Sequence, residues 1–501
     1  MEKSKKNAII LSVIAIVMFA ILIIGATYAY FQAQTGASKS TDVKVTTYTT
    51  DVFTFTTGSA IGLYADQSSF GQEKGSLSGE TFAKATLVAN NKTNEATDNY
   101  YVYFNIENNT FKYTLGNDKP ELILTVTGPD GEVTSLPGLT HKVVQDRENK
   151  SISGFDVTKA NGLITIANKK TITATPRAEE QYTLKLTFVN YEGDQTENAK
   201  SKLSAKVMIQ KEMIPQVVSD VCTNGDNLAT CITTLSGKSS ASLTKIYYHD
   251  ASLTNGSNDN SYRFAGASDK VNNYVCFGSN VTPCPADNLY RIIGVFDTQV
   301  GENQTEQRVK LIKDKSVGNK FWNSNGTNTW STSSLNSYLN NEFINSFDVT
   351  TKGKIAETTW KVGGNAYANI RDVVPSVAYQ NEIVSPVITN SQDNKKEYSA
   401  KIGLMYVSDY GFAAALNAWT TTLSNYNDEA IKNVNWLYLG SEEWTICRAT
   451  DFSTAFRVNN DGCVNGGGVS SLFAVRPVFY LSSSVAYVEG DGTQNSPIGI
   501  N

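Results

Sequence analysis

The sequence predicts a mainly β protein with an α+β C-terminal part: an N-terminal signal or anchor helix, a β-sandwich, then a mixed domain. Three observations carry that prediction. Charged residues make up only 18% of the chain while Tyr and Phe number 25 and 21, and branched and aromatic side chains fit a pleated, half-buried surface. From Val43 to Glu212 apolar residues alternate with polar ones, with no window of helical period. From Tyr262 onward, strand-like runs are interleaved with helical stretches. At 501 residues the chain is too long for one core, so separate domains are expected.

The first element is an export signal. Met1–Lys6 is MEKSKK, Ala8 to Ala26 is almost unbroken apolar sequence, and GATYAYF follows. Lysines ahead of an apolar core and then small residues describe a secretory signal. The apolar run is also just long enough to span a bilayer. Two fates stay open: cleavage between Ala29 and Tyr30, or retention as an anchor (1–29) with the lysines inside. Both place the rest of the chain outside the cell. Gly25, Thr27, Tyr28 and Ala29 resemble the signal ends of TasA/camelysin-type exported proteins of Gram-positive bacteria. That resemblance implies a cut after Ala29, and the outer face of the cell membrane or the cell wall as destination.

Residues 30–42 are small and polar, a tether. The sandwich is expected over 43–212. Val43/Val45, Phe53/Phe55, Val102/Phe104/Ile106, Leu122/Leu124/Val126, Tyr182/Leu184/Leu186/Phe188 and Leu203/Ala205/Val207/Ile209 alternate with polar residues, and turns such as GPDG separate the runs. This domain resembles TasA/camelysin sandwiches in position and strand content. The resemblance implies self-assembly through an unpaired sheet edge; the competing reading is a spacer.

Residues 213–261 read as a connector. Pro215 ends the last strand, Asn227 to Leu235 suits a short helix stapled by Cys222–Cys231, and LTNGSNDNS is a solvated loop. Asn258, Asp259 and Asn260 in that loop do not match calcium-loop spacing. Residues 262–501 form the α+β domain. SYRFAG, NNYVCFG, LYRIIGVF and RVKLIKD are strands, and Ser331 to Ser334 offer caps for a helix whose Leu335, Leu339 and Phe343 share one face. Trp360 sits in a strand, 379–396 is polar loop, and a strand over 402–407 leads into a helix capped by Ser408 or Asp409 that carries Phe412 and Leu416.

The sequence points most strongly at 443–481. Trp444 opens this stretch, Cys447 and Cys463 bracket its first half, and AVRPVFYL closes it. Trp444, Arg476 and Pro477 read as a structural frame. Phe452, Phe456, Arg457, Asn459, Asn460, Asn465, Ser470, Ser471 and Phe473 mix aromatic, amide and hydroxyl groups on a Gly-rich loop, the mixture that paratopes use. With Trp444 and Arg476-Pro477 placed around this loop, the domain resembles the C-type-lectin-like group, which includes retroelement-diversified variable proteins and the formylglycine-generating-enzyme fold. Uncharacterised gut-bacterial surface proteins with YRIIGVF and VRPV-type strands look similar too.

Several chemistries are disfavoured. Two histidines, His141 and His249, read as ordinary surface or strand residues and leave no multi-His metal site. A net charge of −5 offers nothing to nucleic acid. The six cysteines fall in three close pairs without CxxC spacing, so spacing favours disulfides Cys222–Cys231, Cys276–Cys284 and Cys447–Cys463. Glu442 and Glu443 are adjacent on a strand, point to opposite faces and cannot form a glycosidase pair; both read as surface acids. No metal, cofactor or catalytic residue is expected. The expectation is an exported surface protein, not an enzyme, binding a protein or glycan through the 448–473 loop, with the membrane as a further partner if the signal is retained. The alternatives are a TasA-like fibre or biofilm matrix subunit and, with least support, a formylglycine-generating-type enzyme.

Overall fold

The computed structural model describes residues 51–70, 75–90, 95–386 and 396–501. The signal (1–29), the Ala29/Tyr30 cleavage position, the tether (30–42) and the strand residues Val43 and Val45 lie outside the described residues. The chain divides into two compact units between Met213 and Ile214.

The first unit is built from alternation. Lys202–Gln210 buries Leu203, Ala205, Val207 and Ile209 while its other residues face outward or lie half-buried, the pattern of a strand with one wet face. Two antiparallel sheets result. One runs Val52–Thr57, Leu77–Val88, Arg177–Phe188, Leu122–Gly128, Ser151–Asp156, His141–Gln145, with Gly131–Glu132 folded back on Leu122–Gly128. The other runs Ile61–Tyr64, Lys202–Gln210, Ala96–Asn109, Gly162–Ala174. Their inner faces share one apolar core that includes Phe104, Ile106, Leu124, Val126, Leu184 and Val207, which makes this unit a β-sandwich.

The second unit has two larger sheets. The main one runs Ile402–Gly403, Val478–Tyr480, Gln304–Lys313, Leu289–Gly301, Tyr274–Cys276, Ile498–Ile500, Tyr487–Glu489, with Tyr262–Phe264 and Ile246–Tyr248 added beside Leu289–Gly301. The other runs Asn319–Phe321, Leu472–Ala474, Glu443–Ala449, Thr454–Val458, Val464–Gly468. Strands of both sheets and the helices around them share one core.

The stretch 213–261 is part of this unit and not a free connector. Its helix Leu228–Lys238 begins at Asn227, whose side chain accepts from Thr230 N–H, and buries Leu228, Cys231, Ile232 and Leu235 in the shared core. Gly225 and Leu228 donate their N–H groups to Tyr487 and Val485 at 2.9 and 3.1 Å. The expected helix near Leu335 forms as Ser334–Ser337, capped by Ser333, and widens into a π-type turn over Tyr338–Phe343, with Leu335, Leu339 and Phe343 buried.

Elsewhere the sequence reading needs correction. The strand near 402 is only Ile402–Gly403. The next helix is Val407–Ala413, so Asp409 lies in its first turn and is not the residue before it. Leu416 falls beyond that helix and is exposed. The expected loop over 379–396 starts as helix: Val374-Pro375 opens Pro375–Tyr379, which runs into a π-type turn over Gln380–Val384, because a proline's fixed φ suits a first helical turn. Both histidines are placed by their surroundings. His141 is half-buried in its strand and edge-on to Phe155, while His249 is fully buried.

A close approach pins the edge of the main sheet. A Cβ at Gly403 would meet the Trp360 ring at 2.7 Å, and that ring is fully buried with its Nε1–H donated to Ala400 O at 3.1 Å. Gly403→Ala is therefore expected to destabilise the protein by about 1–3 kcal/mol. Gly237→Ala, on the exposed end of Leu228–Lys238 with nothing within 4 Å of the new methyl group, is expected to stabilise by up to about 1 kcal/mol. Denaturant midpoints of the two variants check both signs.

Candidate functional site

Strand register builds the site. Arg263 pairs with Gly294, Gly294 with Lys310, and Lys310 with Tyr480, so the four form one row across four strands of the main sheet. Side chains in such a row share a face and touch their neighbours. Gly294 has no side chain, and a Cβ there would run into Tyr262 O at 2.3 Å. The two cations therefore converge over it. Phe296, two residues along, lies beneath both: its ring centre is 4.6 Å from the Arg263 guanidinium carbon and 5.4 Å from Lys310 Nζ. Tyr406, Tyr480 and Trp360 complete the surround of Lys310, at 4.6, 5.4 and 5.8 Å.

The helix Val407–Ala413 brings the counter-charge. Asp409 accepts from Lys310 Nζ at 2.5 Å and from Arg263 Nη1 at 3.3 Å, and its Oδ2 also takes the Tyr406 N–H at 2.9 Å. Asp259 takes Arg263 Nη2 at 2.7 Å. Ser257 and Ser261 donate their hydroxyls to Asp259 Oδ1 at 2.6 Å each. Arg263, Lys310 and Asp409 are each at most 3% exposed. Burial works to raise the Asp259 carboxyl, but Arg263 and the two serine hydroxyls outweigh it and hold the group below the usual carboxylate range. Burial lowers the Lys310 ammonium, with Asp409 opposing. His249 closes the network: its Nδ1 accepts the Ser257 N–H at 3.1 Å, and burial, then Arg263, pushes it down to about 3, so it is neutral.

Above this floor opens a cleft of about 560 Å³. Tyr379 and Ile383 form one wall, Ser408 lies beside Asp409, and Asp297, Thr358, Thr359, Lys361 and Glu397 lie on the rim, where Lys361 and Glu397 pair. The Thr358 hydroxyl is buried without a hydrogen-bond partner. The arrangement is a cleft with paired charges held at the bottom, aromatic rings around them and hydroxyls above. Sequence reading missed it. The available signals were Lys310 between Val309 and Leu311 in RVKLIK and Arg263 in SYRFAG. The loop holding Asp259 is likewise not merely solvated, because Ser257 and Ser261 are each 1% exposed.

The 443–481 stretch is arranged differently. Trp444 is fully buried and donates Nε1–H to Lys320 O at 3.0 Å. Pro477 is buried, and its carbonyl accepts from Lys313 N–H at 3.0 Å. Arg476 holds Glu443 through two bonds of 2.7 and 2.8 Å and donates to Leu437 O at 2.6 Å. Glu443 is thus 1% exposed and not a surface acid; Glu442, on the opposite face, pairs with Arg457. Of the nine candidate contact residues, Phe456 is fully buried core. Phe473 is half-buried between the Trp444 ring at 4.6 Å and the Arg457 guanidinium at 4.5 Å. Arg371 Nη1 donates to Asn465 Oδ1 at 2.7 Å, and Asn459 Nδ2 to Cys463 Sγ at 3.1 Å. Phe452, Asn460 and Ser470 are exposed, and Ser471 is half-buried. None of the nine lines the cleft.

Disulfides join Cys222 to Cys231 and Cys276 to Cys284, as in an oxidising extracellular environment. The third expected pair is corrected: Cys447 and Cys463 are free thiols. The hairpin explains why. Glu443 pairs with Val458 and Arg448 with Ala455, so Cys463, in the turn beyond Val458, lies about 13 Å along the strand from Cys447, past the roughly 7 Å that a disulfide spans between Cα atoms. Cys447 is buried and donates its thiol to Glu382 Oε2 at 2.7 Å, while Ser408 N–H is donated to Glu382 Oε1 at 2.7 Å. Burial raises the Cys447 thiol well above its ordinary value, and Glu382 adds to the rise. Burial and then Asp461 push Cys463 up to about 11. Neither is a thiolate at neutral pH. Among the described residues no group of three or more His, Cys, Asp or Glu could hold a metal ion, and no helix is long and apolar enough to cross a membrane.

Residues 306–483 match a domain of unknown function (DUF6273). The matched segment supplies Lys310, Tyr379, Tyr406, Asp409 and Tyr480 to the cleft, while Asp259 and Arg263 precede it. No curated protein and no solved structure matches the chain.

Burial raises Glu382 to about 7 against an ordinary 4.5, opposed by the bonds from Cys447 and Ser408. A raised carboxyl contributes stability that is complete below its unfolded value and is lost as pH rises to the folded one. Between pH 4.5 and 7 the wild type should therefore lose stability relative to Glu382→Gln, by on the order of 3 kcal/mol, and the gap should level off above pH 7; melting temperatures across that range report it. Under non-reducing conditions a thiol reagent should label Cys463 in the native protein and both Cys447 and Cys463 only after denaturation, as read by peptide mass spectrometry.

Proposed function

We propose that this is an exported surface protein of a Gram-positive bacterium whose C-terminal domain binds a protein or glycan ligand, with the β-sandwich as its spacer. The observation that carries the reading is the cleft: a pocket of ligand size whose floor is fixed by Asp409 between two buried cations. Such a floor is preorganised, which lowers the cost of binding. The two disulfides support the exported location. The C-type-lectin-like reading of the domain draws support from Val478–Tyr480, a near-terminal strand that enters the main sheet directly after the hairpins and behind the buried Arg476. The binding site in this reading moves from the 448–473 loop to the cleft. A fibre subunit is the second reading, favoured by Val52–Thr57, which pairs on one side only among the described residues.

The site is tested by substitution at both places, read against arrays of glycans and peptides. Thr359→Ala and Lys361→Ala on the cleft rim should weaken retention by about fivefold or more, while Phe452→Ala and Ser470→Ala on the hairpins should change it by less than about twofold. The reverse result would return the site to the hairpins. Assembly of the secreted protein into fibres would favour the second reading.

A further inference from the structure

Resting on the cleft as the binding site, we infer that its ligand is an uncharged sugar, held by donors at the cleft floor. The hydrogen-bond inventory of the floor leads there. Arg263 has five N–H groups and Lys310 three. Arg263 gives Nε–H to Ser261 Oγ at 2.8 Å, one Nη1–H to Asp409 and one Nη2–H to Asp259; Lys310 gives one to Asp409. Each cation therefore keeps two N–H groups with no acceptor among the described residues. The carboxylates are in the opposite state. Asp259 already accepts from Arg263, two serine hydroxyls and Ser261 N–H, and Asp409 from Arg263, Lys310 and Tyr406 N–H. The floor thus has spare donors, spent acceptors and no net charge.

A ligand for such a floor brings oxygen acceptors without a charge of its own. An anion is disfavoured, because the two cations are already matched and the rim adds Asp297 and Glu397 against Lys361 alone. A free cation meets acceptors that are occupied. A peptide brings backbone N–H groups that need acceptors the floor does not have. A sugar brings hydroxyl and ring oxygens for the spare donors, and its own hydroxyl hydrogens find the amphoteric hydroxyls of Thr358 and Ser408. The unpartnered Thr358 hydroxyl is the group most in need of such a partner. The aromatic rings of the walls suit the C–H face of a sugar ring.

The test uses the full chain purified in mild detergent, on an array of uncharged gluco-, galacto- and manno-oligosaccharides, acidic oligosaccharides and peptides of matched length. Retention on one or more uncharged sugars is expected, changing by less than about twofold between low and high salt. Thr358→Val and Ser408→Ala should each weaken it by about tenfold, with thermal melts confirming that both variants fold. Retention only of acidic sugars or peptides, still weakened by those substitutions, would overturn the sugar assignment and leave the cleft as the site. Retention unmoved by either substitution would overturn the cleft reading itself, and no retention of any uncharged sugar would overturn the inference.

Discussion

The C-terminal domain depends on one carboxylate. Asp409 lies between Lys310 and Arg263, all three nearly without solvent. Burying a charge is costly, and removing one partner from a buried pair generally costs about 3–5 kcal/mol because the other is left uncompensated. This single group therefore ties three things together. It fixes the cross-strand row of Arg263, Lys310 and Tyr480, since the two cations tolerate one face of a sheet only when an anion faces them. It fixes the helix Val407–Ala413, which carries the anion. Through Arg263 it fixes the loop around Asp259, whose serines would otherwise have no reason to turn inward. A floor so constrained presents a fixed pattern of charges and donors to the cleft above it.

A second buried ion pair does different work. Arg476 and Glu443 lie where Val478–Tyr480 of the main sheet follows the hairpin sheet, and Arg476 gives three of its N–H groups to Glu443 and Leu437 O. Nothing of this pair reaches the cleft. Two ion pairs in one domain thus differ in where they lie: Arg476–Glu443 is an internal clamp, whereas Arg263 and Lys310 line the cleft. The cysteines differ as well. Cys222–Cys231 and Cys276–Cys284 are covalent staples, and Cys447 is a buried hydrogen-bond donor to Glu382.

The sandwich was legible in the sequence because its signal is local. Leu203, Ala205, Val207 and Ile209 declare their face by period alone, and the fold places them in the core. The first two disulfides were legible for a similar reason, since each closes a short loop. What was not legible depended on register. Cys447 and Cys463 are as close in sequence as hairpin partners often are, but the ladder slides them apart. Glu443 reads as a surface acid until Arg476, 33 residues on, is known to reach it.

The cleft was hidden for the strongest version of that reason. Its floor takes Asp259 and Arg263 from one end of the domain, Lys310 from a central strand, Asp409 from a helix and Tyr480 from a near-terminal strand. No window of sequence contains more than two of them. A lysine between Val309 and Leu311 in a run such as RVKLIK is ambiguous by itself: at an edge strand it would be a solvated charge that guards against aggregation. Only the sheet order makes Gln304–Lys313 central, with a neighbour on each side, and there an inward lysine has no route to water. Its charge must be answered from within the fold, and a polar cleft is the consequence of answering it with a carboxylate and leaving hydrogens to spare.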